Sequence, residues 1–496
     1  MNTKILTRNP ELARNMYLEL SKQRLVAMPV ILCLLSFLVL STSQITAYSA
    51  ENQYDYLARY SSIAFMIITI LWGAKNASDG VLDEYNSRTW DWQRMSTLSP
   101  WKMTIGKLFG STIYNWYGGV ICLIINLFAT LGSIATENAT TIEPGRPHHS
   151  LFLYVIQTFS TVLMAITVQT VAILASLMQM KKGDGRNKIK GTTIILLPIF
   201  FMMIGWGFYT SANLQYLLRE KANWYGINLG AFRSLLSILF YTCWVVAGLY
   251  RTMRTELQYT HGLKWWVLFL TTSAIFNSGF IVGQNATWSL HTAIVIAAAT
   301  MFIGYVITAF LLTIIEPKEI INYRTIFKSF RDRNTAKLYS ILPLWTVTLL
   351  FVAVSGIITS ITIITMPDSI FDAPTIGTLF TSNYFLAKLE GIKSTLTIAP
   401  FAIFGFLIRD IAIVLYVNIM RKNKRADTTA ILYLLILYIV IPLIIRSSSI
   451  GFLFYPTDQS GTFLMLAAPL AEASIMIYLL SNKWKSINST IAQTSA

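Results

Sequence analysis

Charge is scarce in this chain of 496 residues: Asp, Glu, Lys and Arg make up 12% of it, against about 25% in a soluble domain. That shortage excludes an ordinary soluble globule, and a hydrophobic content of 54% excludes intrinsic disorder. Cysteine is nearly absent. Cys33, Cys122 and Cys243 fall in apolar runs without CxxC spacing, so neither a disulfide scaffold nor a zinc site is expected. The histidines are as few: His148-His149 lie in a loop near Glu143, and His261 and His291 sit at the borders of apolar runs, which reads as surface placement. No G-x-x-x-x-G-K-[ST] occurs and no nucleophile stands at a fixed spacing from a base, so the chain is not expected to be an enzyme or to hydrolyse ATP. No Gly/Ser-rich or Pro-rich linker leaves room for a separate soluble domain.

What the chain has instead is apolar runs of ~20 residues, the length a helix needs to cross a bilayer. They fall near 26–47, 60–78, 108–133, 151–179, 191–212, 231–250, 265–283, 290–315, 341–365, 396–418, 428–446 and 462–481. The expected fold is therefore an all-α polytopic membrane protein of about twelve transmembrane helices. The formal net charge of +16 could point to nucleic acid, but the basic residues cluster between the apolar runs. Topology explains them better, with membrane lipids and not nucleic acid as the partners. Of 39 Lys and Arg, 30 fall on the side that holds both termini, 8 fall on or border the other, and Arg409 lies within a run. Both termini are expected in the cytoplasm, in a cytoplasmic (inner) membrane.

Two long polar segments, 75–107 and 316–340, each follow the second run of a six-run half. Both carry an acid, then Arg-Thr, then aromatics: Glu84 before Arg88-Thr89-Trp90, and Glu319 before Arg324-Thr325 and Phe327. Their matching places suggest two six-helix halves, 1–255 with loop 75–107 and 256–496 with loop 316–340.

Asp83 to Gly110 is too polar to cross lipid and unusually aromatic for a connection. At about 100° per residue, Trp92, Met95 and Leu98 share one face of a short amphipathic helix, and Ser99-Pro100 ends it or starts the next. One reading is a helix lying in the headgroups, with Trp anchors and with Lys102 and Lys107 facing phosphates. The other is a docking surface for a cytoplasmic protein. The order Glu84, Thr89, Ser99-Pro100, Gly106-Lys107 resembles the cytoplasmic loop of the type-2 permeases of ATP-binding-cassette exporters, although Arg88 stands where a glycine usually precedes the Thr. In those exporters the loop inserts into a cleft of the nucleotide-binding subunit. The resemblance implies a permease without its own cofactor, powered by a separate ATP-binding-cassette ATPase that binds the ATP. It implies docking through Glu84, Arg88, Thr89, Trp90, Asp91, Arg94, Ser99, Pro100, Gly106 and Lys107.

Three charges interrupt the apolar runs: Arg409, Asp410 and Glu472. An isolated charge at the centre of a span costs about 2.5–3.5 kcal/mol, so each is expected to have a partner, and Arg409 with Glu472 is the natural pair. Neighbours on a helix point about 100° apart, so Arg409 and Asp410 are not expected to share one partner. The charges also admit an alternative, a secondary transporter with two six-span halves. A membrane-embedded transferase would need clustered acids at one face, and only 366–395, with Asp368, Asp372, Lys388 and Glu390, approaches that.

The charge asymmetry makes a direct topological prediction. In a background lacking the native cysteines, single cysteines replacing Gly185, Asn334 and Asn423 should react with impermeant thiol reagents only from the side of the termini. One replacing Asn138 should react only from the other side. Labelling at position 185 from the side opposite the termini would overturn the map.

Overall fold

Lipid offers the backbone no hydrogen-bond partner, so each apolar run must close its own helical bonds. The computed structural model describes residues 9–45, 53–96, 98–139, 151–182, 223–229, 232–259, 262–283, 290–316, 318, 320–367, 392–420, 426–445, 453–454 and 462–494. Among the described residues ten helices are long and apolar enough to cross a membrane, and a shorter apolar helix spans Thr428–Ile444. Large apolar side chains such as Leu34, Phe37, Leu350, Ile444 and Phe463 face outward. In water such a surface would aggregate; in a bilayer it meets its solvent. The protein is an all-α, multi-pass membrane protein. The expected run 191–212 lies outside the described residues, as do His148-His149, His261, Glu319 and the acids and lysine of 368–390.

The chain divides into two compact units, Met1–Ala222 with Asn228–His261, and Asn223–Ile227 with Gly262–Ala496. The first contains α1 (Pro10–Glu19), α2 (Lys22–Ile45), α3 (Gln53–Asn86), α4 (Trp90–Arg94), α5 (Pro100–Gly110), α6 (Ile113–Ala139), α7 (Leu151–Lys182) and α8 (Phe232–Glu256). Two short strands, β1 (Asn223–Trp224) and β2 (Ile227–Asn228), flank a turn in which Tyr225 and Gly226 both have positive φ. The second unit adds α9 (Lys264–Gly283), α10 (Leu290–Ile315), α11 (Ile320–Arg331), α12 (Thr335–Ile341), α13 (Leu344–Thr365) and α14 (Ile392–Met420). It ends with α15 (Ala426–Leu435, continued through a π-helical stretch Ile436–Val440 to Ile441–Ile445) and α16 (Thr462–Thr494).

At about 1.5 Å per residue, the 34 residues of α3 run about 51 Å, well beyond a hydrocarbon core of about 30 Å. Residues 75–86, expected as loop, are therefore helix. Packing explains the difference, because Ala74, Ala77, Val81 and Leu82 are buried in the unit's main core with Val168, Ala172, Ile173 and Leu177 of α7. Within α3, Met66–Trp72 is π-helical. Its Ile68 carbonyl accepts from Asn115 Nδ2 at 3.0 Å and its Thr69 carbonyl from Gln169 Nε2 at 2.8 Å. Amides from α6 and α7 thus stitch the widened turn.

The amphipathic α1 lies against α5 at two glycines four residues apart. A Cβ at Gly106 would come within 2.7 Å of Glu11 Cγ, and one at Gly110 within 2.7 Å of Asn15 Nδ2. Only glycine permits that approach. Gly106→Leu or Gly110→Leu should therefore displace α1 at a cost of about 1–3 kcal/mol. In a cysteine-free background, a cysteine replacing the buried Ala13 reports the displacement as faster thiol labelling. Unchanged labelling in both variants would remove the close-packing account.

Candidate functional site

The segment Asp83–Gly110 begins where α3 stops. Arg88 N–H donates to Tyr85 O at 3.1 Å and Thr89 N–H to Glu84 O at 2.9 Å, the paired bonds that close a helix through a left-handed residue. That residue is Arg88, at φ +61°, a conformation that favours glycine. Thr89 Oγ1 also donates to Glu84 O, at 3.2 Å. Ser99 caps α5, its hydroxyl accepting from Lys102 N–H at 3.4 Å, and Pro100 fills the first turn.

Between these ends, α4 is a single turn and a half, shorter than the amphipathic helix that the spacing of Trp92, Met95 and Leu98 predicts. Trp90, 3% exposed, is buried in the unit's core, and Gln93 lies beside it on the inner face. Trp92, Met95 and Asp91 face out, the first two 76% and 74% exposed. Arg94 is turned back, its Nε donating to Glu256 O at 2.9 Å. Of the residues that sequence marks for docking, Arg88, Thr89, Asp91 and Ser99 are at the surface, Glu84, Arg94 and Pro100 are half-buried, and Trp90, Gly106 and Lys107 are inside. Trp92 and Met95, outside that set, are the most exposed apolar groups of the element.

Lys107 is the buried centre of a four-charge cluster. Its side chain is 2% exposed, and Nζ donates to Glu11 Oε1 at 2.7 Å and to Glu84. Arg14 joins both carboxylates, Glu11 at 3.2 Å and Glu84. The face of the Trp90 ring lies 5.6 Å from Lys107 Nζ. Two cations and two carboxylates balance. Glu84 and Lys107, separated by a turn and a helix in sequence, meet here because α1 brings Glu11 and Arg14 into the angle between α3 and α5. Facing phosphates is thus not open to Lys107, whereas Lys102 is exposed.

The corresponding segment of the second unit is built differently. Arg324, Thr325 and Phe327 lie inside the continuous helix α11, where Thr325 Oγ1 donates to Ile321 O at 2.9 Å, and Phe327 packs on Trp484 with ring centroids 5.6 Å apart. No helix end interrupts 320–327 as Arg88 interrupts 84–92, so the two Arg-Thr pairs do not share a local structure.

Within the second unit the three intramembrane charges form one network. Arg409, 3% exposed, donates from Nη1 to Glu472 Oε2 at 2.5 Å and to Leu453 O at 3.2 Å. Its Nε reaches Asp410 Oδ1 at 2.9 Å and its Nη2 reaches Tyr438 Oη at 2.7 Å. Tyr438 in turn donates to Asp410 Oδ2 at 2.6 Å. Arg409 and Asp410 do therefore share a partner, against the expectation from helix geometry. The long guanidinium stem folds back toward its neighbour, and Tyr438 enters from the π-helical stretch of α15 to meet both. Sequence reasoning missed Tyr438; the available signal was a phenol, needing a hydrogen-bond partner, within an apolar run. The guanidinium also lies over the rings of Phe406 and Tyr438, 4.7 and 5.2 Å from their centroids. Beside the network is a cavity of about 360 Å³ whose lining is apolar except for Asp410 and Tyr438.

Comparison of the chain with protein-family models, curated proteins and solved structures gives no match.

The contact between Arg409 and Glu472 predicts energetic coupling. In a double-mutant cycle on Arg409→Leu and Glu472→Leu, thermal unfolding of the purified protein should give a coupling energy of about 0.5–3 kcal/mol. Strictly additive losses would mean that the pair contributes nothing.

Proposed function

We propose that this chain is the membrane-spanning permease of an exporter driven by a separate ATP-binding-cassette ATPase, which supplies the bound ATP and docks on Asp83–Gly110. In this reading the chain has twelve spans in a cytoplasmic membrane, both termini are cytoplasmic, and the two compact units are the two permease halves. The observation that carries it is the mounting of α4. A short helix stands at the end of a helix that outruns the bilayer, fixed from beneath by Trp90 and by the Lys107 cluster, and it turns Trp92, Met95 and Asp91 outward. Rigid aromatic anchors with a charge beside them suit a protein interface.

A second feature supports the same reading. Trp90 Nε1 and both polar atoms of the Gln93 amide are buried without a hydrogen-bond partner among the described residues. Each such group costs about 1–3 kcal/mol, a cost that a partner or a shift of α4 could offset. The order of Glu84, Thr89, Ser99-Pro100 and Gly106-Lys107 adds the resemblance to type-2 permeases. The network at Arg409, Asp410, Tyr438 and Glu472 favours the second reading, a secondary transporter, because charges held in a span commonly mark ion or substrate paths.

The two readings separate on one experiment. The full chain, solubilised gently and crosslinked in its own host, should bring down a soluble ATPase. Trp92→Ala with Met95→Ala should reduce recovery about 30-fold, the effect of a hot-spot loss near 2 kcal/mol. Because both side chains are exposed, thermal stability should not change. Failure of the unmutated chain to recover any ATPase would remove the exporter reading.

A further inference from the structure

The two charge networks of this protein differ in their arithmetic. In the first unit, Arg14 and Lys107 face Glu11 and Glu84. In the second, Arg409 faces both Asp410 and Glu472. Every nitrogen of that guanidinium is already used: Nε on Asp410, Nη1 on Glu472 and Leu453 O, Nη2 on Tyr438. Among the described residues Arg409 is the one cation in salt-bridge contact with Asp410 and Glu472. With both carboxylates ionised, one cation among the described residues thus faces two anions, an excess of negative charge in a medium where unpaired charge is costly.

The cavity lies against this excess. Asp410 forms its polar wall together with Tyr438, and Val306, Phe310, Phe406 and Leu407 supply apolar and aromatic surface. Ile307 and Leu311, also in the lining, are exposed on α10, so the cavity borders the apolar outer surface of the helix. A volume of about 360 Å³ suits a small organic molecule, since ligand pockets run from about 300 to 1,000 Å³. A bare metal ion does not suit it, because Ca²⁺ or Mg²⁺ asks for about six oxygens and the lining offers a carboxylate and a phenol.

We propose that this cavity binds an amphiphilic organic monocation, its charged head at Asp410 and its apolar body against Val306, Phe310 and Phe406. The head would neutralise the excess carboxylate charge, and the apolar body would lie against the cavity wall. The inference goes beyond the docking of an ATPase and does not depend on it. A proton taken up by Asp410 or Glu472 is the rival way to neutralise the network; Arg409 and Tyr438 are the remaining titratable groups that face it.

The test uses the full chain in nanodiscs of zwitterionic lipid, with 4-phenylbutyltrimethylammonium as the probe and its uncharged carbon isostere as the control. Calorimetry at pH 6 to 9 should show one saturable site for the cation and at least tenfold weaker binding of the isostere. Asp410→Asn should weaken cation binding at least tenfold. Since that variant disturbs the network, Val306→Trp and Leu311→Trp provide independent tests: they fill the cavity from α10, leave Arg409, Asp410 and Glu472 in place, and should abolish binding while the thermal transition stays within a few degrees. Binding of the isostere as tight as that of the cation would mean an apolar void without charge selection and would overturn the proposal. So would the absence of cation binding by the unmutated chain across the pH range, the outcome expected of a protonated network. Binding unchanged by both tryptophan variants would place the probe elsewhere and overturn it as well.

Discussion

A charge withdrawn from water has to find its counter-charge within the chain, and this requirement orders both units. Lys107 could not be buried in α5 unless carboxylates came to it from two other elements, and the ones that come, Glu11 and Glu84, tie α1 and α3 to its helix. Arg409 makes the same demand on α14 and draws Tyr438 of α15 and Glu472 of α16 around it. Apolar packing alone would not choose these arrangements, because a leucine in lipid gains little by exchanging acyl chains for another leucine. Polar contacts and close backbone approaches set the rotation of each helix about its axis.

The same rule shows in the neutral contacts. Asn126 of α6 donates to Ala58 O at 2.6 Å and to Ser61 Oγ at 2.8 Å, and Ser176 of α7 donates to Ser78 Oγ at 2.9 Å, so α3 is held along its length by neighbours on two sides. Both π-helical stretches fall where such polar contacts concentrate. In α3 the widened turn offers carbonyls to Asn115 and Gln169; in α15 it carries the phenol that joins Arg409 to Asp410. An inserted residue rotates everything beyond it on the helix, and in each case the result is a polar meeting that a regular helix of the same sequence would miss.

The candidate docking element divides along the same physical line. Part of its outline was legible, since Ser99-Pro100 does stand at a helix boundary, where α5 begins; the left-handed Arg88 that ends α3 and the burial of Val81, Leu82 and Trp90 in the core were not. Which side of the element is inner was not legible. Trp90 and Trp92 are alike in chemistry and differ only in direction, one packed against Lys107 and the other in the open. They stand two positions apart, about 200° around a helical turn, and so on opposite faces.

The primary structure by itself determined the class of this protein and the position of nearly every described membrane helix, because the bilayer acts on each run locally and asks only for length and apolarity. It also determined that Arg409 and Glu472 needed partners, since the cost of an unpaired charge in a span does not depend on the rest of the fold. The pair Arg409 with Glu472 was legible too, and tertiary structure alone decided the remaining partners. Lys107 meets Glu11 across 96 residues of chain, and Arg409 meets Tyr438 across 29, at places set by helix rotation, glycine contacts and inserted π turns. Such meetings depend on the register between helices, which no single run contains.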